Sequence, residues 1–91
     1  MMQNQAEIVA LRALGWLAEN ELLDAFQATT GADQDQIRAA AAQPDFLGAV
    51  LDFVMMRDDW VQGVCDAQAL PYDGLLAARA ALPGGDLPHW T

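Results

Sequence analysis

The sequence predicts an all-α protein, a compact single-domain bundle of about six short helices, and three observations carry that prediction. Eighteen of the 91 residues are Ala, the strongest helix former, whereas β-branched residues are few: five Val, two Ile and three Thr. Capping-box spacings recur at Asn4/Glu7, Asp33/Gln36 and Asp59/Gln62, and Pro44 suits the first position of a helix. No window alternates apolar and polar residues between turn signals, as a half-buried strand would.

Asn4 and Glu7 cap a first helix over Gln5–Ala18, leaving residues 1–4 as a disordered start. Ile8, Val9, Leu11, Leu14, Trp16 and Leu17 spread around most of its circumference, and only Arg12 and Glu19 mark a wet side. Such a helix is buried in its own fold or in a partner. Asn20 is placed as the cap of a second helix, Glu21–Thr29, with Leu22, Leu23 and Phe26 inward and Gly31 as the left-handed residue that ends it. Asp33 opens a third helix near Gln34–Ala42, whose one large apolar residue is Ile37.

From Pro44 the apolar density rises. Phe46, Val50 and Phe53 form the centre of a stripe flanked by Ala49 and Met56 on one side and by Leu47, Val54 and Leu51 on the other. The apolar arc is roughly 220° wide, against the ~100° of an ordinary surface helix, so this is a central helix. After a short break at Arg57-Asp58-Asp59, a fifth helix starts near Trp60, with Asp59 as its cap, and stops at Pro71. Trp60, Val61, Val64 and Ala67 line one side of it, and Cys65 sits on the margin. Asp73 caps a sixth helix, Gly74–Leu82, which Pro83-Gly84-Gly85 ends. Residues 83–91 form an irregular tail with no pattern of its own, and no repeat, linker or second domain interrupts residues 1–91.

Charge and composition exclude several functions. Ten Asp and three Glu against four Arg and no Lys give a net charge of −9, which repels nucleic-acid phosphate and anionic lipid, so neither nucleic acid nor membrane is an expected partner. The fifth and sixth helices, joined by Leu70-Pro71-Tyr72-Asp73, have helix-turn-helix spacing. Residues 74–82 nevertheless carry one Arg and no Asn or Gln with which to read bases. There is no basic leader and no run of ~20 apolar residues, and a single Cys cannot form an internal disulfide, so a cytoplasmic location is expected. The chain contains no Ser, which removes serine-nucleophile mechanisms.

The remaining candidates for chemistry are sparse. Asp45, Asp52, Asp59, Asp66 and Asp73 recur every seven residues, but the helix breaks divide them into exposed pairs and two caps, without the alternate-position spacing of a calcium loop. Cys65 and His89 are the only thiol and the only imidazole, too few for a zinc site, and a buried, inert Cys65 is the default expectation. No catalytic, metal or cofactor-binding residue is therefore assigned, and no cofactor is expected. The residues expected to carry an interaction are Arg57, Asp58 and Asp59 at the helix break and His89 and Trp90 in the tail, where an aromatic anchor either docks on the domain or fits a partner groove.

Leu14–Asn20 (LGWLAEN), Pro44–Phe53 (PDFLGAVLDF), Asp58–Val61 (DDWV), Cys65–Asp73 and the tail Ala78–Thr91 (ARAALPGGDLPHWT) together resemble a family of short alphaproteobacterial proteins catalogued as a domain of unknown function. The likeness covers nearly the whole chain, and the Pro-Gly-Gly-Asp…Pro-His-Trp-Thr ending is its most distinctive part. It implies a bacterial cytosolic protein and transfers no activity or catalytic residue. The working expectation is an adaptor or regulator that acts by protein–protein interaction, including self-association. The alternatives are an acidic decoy or antitoxin-like partner of a basic protein, and a thiol-based enzyme or redox protein using Cys65, with His89 or a neighbouring Asp as base.

Overall fold

In the computed structural model, residues 1–82 are described. They form α1 (Gln3–Glu19), α2 (Leu23–Thr30), α3 (Gln34–Ala40), α4 (Pro44–Val54), α5 (Asp58–Gln68) and α6 (Tyr72–Ala81), with no strand among them. The all-α reading holds. The longest helix, α1, is the hub: it packs chiefly on α4 and α6, and less extensively on α5 and α2.

The hub is built of small side chains. Ala6, Ala10 and Ala13 are fully buried along α1, together with Leu17 and nearly all of Val9. Their size lets neighbouring helix axes approach closely. Larger residues fill the space around them: Leu47, Val50, Leu51, Phe53 and Val54 of α4, Val64 and Cys65 of α5, and Leu75 of α6. Phe26 of α2 meets Phe46 and Phe53 edge-on, with ring centroids 5.7 and 5.3 Å apart, and Phe53 stacks on Trp60 at 4.9 Å. Such pairs add to area burial because ring edges and faces carry opposite partial charge. This aromatic chain joins α2, α4 and α5. On the other flank of α1, the Trp16 indole lies directly against Gly63, where a side chain would have no room. Gln68 of α5 also donates to the Val9 carbonyl at 3.1 Å.

Several boundaries differ from the sequence reading, each for a local reason. Helix α1 begins at Gln3, because the Met2 amide donates to Gln5 Oε1 at 3.0 Å and Gln3 donates to Glu7 at 3.1 Å; Asn4, read as the cap, is helical. Asn20 does not cap α2. It closes α1, donating from Nδ2 to the Trp16 carbonyl at 2.9 Å. Glu21 then turns left-handed (φ 60°), and the Leu22 and Glu21 amides donate to the Leu17 and Ala18 carbonyls at 2.8 and 3.3 Å. That is a Schellman turn, so α2 starts only at Leu23. A matching turn ends α5 before Pro71: Ala69 is left-handed (φ 55°), with Leu70 and Ala69 donating to the Cys65 and Asp66 carbonyls.

Helix α3 ends at Ala40, short of the expected Ala42, while its capping box forms as read, with Asp33 and Gln36 exchanging bonds of 2.8 and 2.9 Å. Asp59 and Asp73 are not caps. Arg57 and Pro71 occupy those positions, and both acids lie in the first turns of α5 and α6, where the helix dipole favours negative charge. The buried stripe of α4 is centred on Leu47, Val50, Leu51 and Val54, leaving Phe46 half-buried and Met56 exposed.

Candidate functional site: an apolar groove beside the first helix

The sequence reading has α1 buried in its own fold or in a partner, and the fold covers only part of it. Ile8 and Leu11 remain 52% and 50% exposed. The cause lies in α3, which is only seven residues long, buries Ile37 alone, and is absent from the helices that pack broadly on α1. The gap between α1 and α3 is a groove of about 460 Å³ whose walls include Leu11, Leu14, Leu23, Ile37 and Arg38. Gly15 and Ala18 leave its α1 wall low, and nothing lies within 4 Å of where a Gly15 side chain would begin.

A further depression borders the groove at each end. Leu11 also walls one formed by Asn4, Glu7, Ile8, Ala41, Ala42 and Leu47. Ala18, Leu23 and Gln34 also wall another, rimmed by Glu21 and Asp24. Gln34 faces the Ala18 end and Ala41–Ala42 the Asn4 end, so the α3 segment runs antiparallel to α1 along the groove. From Asn4 to Ala18 the helix rises roughly 20 Å. Acidic groups stand at both ends, Glu7 at one and Glu21 with Asp24 at the other, and Arg38 stands between them.

The residues singled out from the sequence lie elsewhere. Arg57 precedes α5 and grips Asp59 through Nε–Oδ1 at 3.0 Å and Nη2–Oδ2 at 3.3 Å, with its guanidinium carbon 5.3 Å from the Trp60 ring centroid. That hydrogen bond, more than simple charge proximity, holds the Asp59 carboxyl below its ordinary value of 3.8. Asp58 is exposed in the same first turn. His89 and Trp90 lie outside the described residues.

The wider acidic series does not converge. Asp52 pairs with Arg79 of α6, at 2.6 and 3.1 Å, and the guanidinium lies over Gly48 of α4. Asp66 accepts a long bond of 3.5 Å from the Tyr72 hydroxyl. Among the described residues, no group of three His, Cys, Asp or Glu side chains is placed to hold a metal ion.

Cys65 is buried, as the default reading of a lone Cys has it, and not on an exposed helix margin; its sulfur lies 4.0 Å from the Tyr72 carbonyl. Burial pushes the thiol up; the nearby Asp66 and Asp73 charges add to that, and a backbone bond from Leu75 opposes it. A nucleophilic thiol requires exposure and a depressed pKa, so the thiol-enzyme reading loses its residue. Sequence reasoning missed the groove because no sequence feature marks how far α3 stands from α1. The one signal was the excess of apolar residues around the α1 wheel.

Fold and site thus define a small helical domain with an open apolar groove along its first helix. The chain belongs to DUF3572, described as a protein of unknown function, whose family model matches residues 3–85. Comparison with curated proteins and with solved structures returns no match. No helix among the described residues is long and apolar enough to cross a membrane.

Proposed function

We propose that the protein is an interaction module, an adaptor or regulator that binds another protein through the groove between α1 and α3. The observation that carries this reading is the exposure of Ile8 and Leu11 on α1, the helix that packs on four others, beside an apolar groove. Contiguous apolar surface rimmed by polar groups is costly in water unless something covers it. A protein is favoured over nucleic acid because the net charge of −9 repels phosphate. The single Cys, which needs no oxidising compartment, supports a cytoplasmic setting. The Arg57–Asp59 corner and the His89-Trp90 segment serve as secondary contacts in this reading.

The test is affinity purification from the source cell with the wild-type chain and with an Ile8→Gln, Leu11→Gln double variant. The wild type is expected to retain a stoichiometric partner, or a second copy of itself, that the folded double variant loses. Equal retention by both chains would remove the groove from the function.

A further inference from the structure

Resting on that reading, we propose that the groove is occupied by a basic amphipathic helix of about four turns from a partner protein. The occupant's shape follows from the walls. Two antiparallel helical segments with a gap between them offer a third helix a place to lie, and no strand edge is presented among the described residues. A trough of roughly 20 Å holds about fourteen helical residues at 1.5 Å each, with apolar anchors at i, i+4, i+7 and i+11. The open space over Gly15 lets the incoming backbone approach α1 closely there.

The occupant's charge follows from the rim. Glu7 at one end and Glu21 with Asp24 at the other call for Lys or Arg at both ends of the helix, over Leu, Ile or Phe in the middle. The same pattern argues against a second copy of this chain. A two-fold axis over the groove centre sets one acidic end against the other and brings Arg38 against its own symmetry mate. Each copy also carries a net charge of −9.

The test uses the full chain and three synthetic peptides of about sixteen residues. One carries Leu anchors with Lys and Arg at both ends, the second has those cations replaced by Glu, and the third has the anchors replaced by Gln. Binding is read by titration calorimetry and by backbone amide shifts. The basic peptide is expected to bind at least about tenfold tighter than either control and to weaken as salt rises, with shifts confined to residues 4–42. Leu11→Gln and the Glu21→Lys, Asp24→Lys double variant are each expected to weaken it by about tenfold or more. Equal binding of the acidic peptide, or insensitivity to Leu11→Gln, overturns the proposal. A groove filled by a second copy, or opened only by deleting residues 83–91, also overturns it. If the peptides fail while the Ile8, Leu11 double variant still loses its partner, the interaction reading stands and the basic helix falls.

Discussion

Along α4, most of the large apolar side chains are buried. Leu47, Val50, Leu51, Phe53 and Val54 are inside, and Asp45 and Asp52 are outside. Along α1 the order is mixed: Ala6, Ala10 and Ala13 are sealed together with Leu17, while Ile8 and Leu11 face water. Both arrangements make physical sense for their places. Helix α4 lies where aromatic rings from α2 and α5 need partners, so bulk fills the space. Helix α1 sits between α4, α5 and α6, where small residues allow several helices to crowd one axis. The difference separates two duties carried by similar residue types. Apolar bulk on α4 holds the fold, and part of the apolar bulk on α1, Ile8 and Leu11, is left for something else.

The largest effect that sharpens this contrast is Phe53→Ala, which should cost about 3–5 kcal/mol in urea denaturation. It removes a nearly buried ring contacting both Phe26 and Trp60, and so loosens three helices together. On α1 the expected pattern inverts. Ala10→Leu, which adds bulk at a sealed contact, should cost about 1–3 kcal/mol, while Leu11→Gln, the neighbouring residue, should cost about 1 kcal/mol or less. If Leu11→Gln proves as damaging as Ala10→Leu, the exposed face of α1 is structural and the contrast fails.

How much of this was legible in the sequence depends on what each feature leaves behind in composition. The helix class followed from Ala content and caps, and Asp33/Gln36 and Pro44 marked their helix starts correctly. The two Schellman turns at Glu21 and Ala69 were invisible because neither left-handed position carries Gly, the residue that normally announces it. Cys65 is buried, as expected of a lone Cys, although the wheel put it on a margin: a wheel gives a residue's angle and not which neighbouring helix meets it, and here α6 lies beside it. The groove was half legible. The α1 wheel displayed more apolar surface than one side can bury, and only the packing reveals which residues are left over.

Two glycines test the same contrast through one substitution. Gly63 is where the Trp16 ring lies against α5, and Gly15 faces open space on the groove side of α1. Gly63→Ala should cost about 1–3 kcal/mol, because the indole must move. Gly15→Ala should stabilise by about 0.4–1 kcal/mol by restricting the unfolded chain and favouring helix. Thermal melts of the two variants should therefore shift in opposite directions. A loss at Gly15 would mean that this face is packed in solution, and the groove closed.

The smallest expected effect concerns the polar corner, which contrasts with the apolar groove in what it can contribute to folding. Arg57 and Asp59 form a two-point pair, yet both side chains are largely exposed, at 60% and 63%, so solvent screens most of its worth. Because the Asp59 value is depressed in the folded state, the pair's contribution is present above the ordinary aspartate value of 3.8 and is lost as pH falls through the folded value. A carboxyl-carbon NMR titration should place the Asp59 midpoint below the ordinary aspartate value of 3.8, and Arg57→Ala should raise it toward that value. Leu11→Gln should leave it unchanged. An unshifted Asp59 in the wild type would show that the corner is open in solution, with both charges available to a partner.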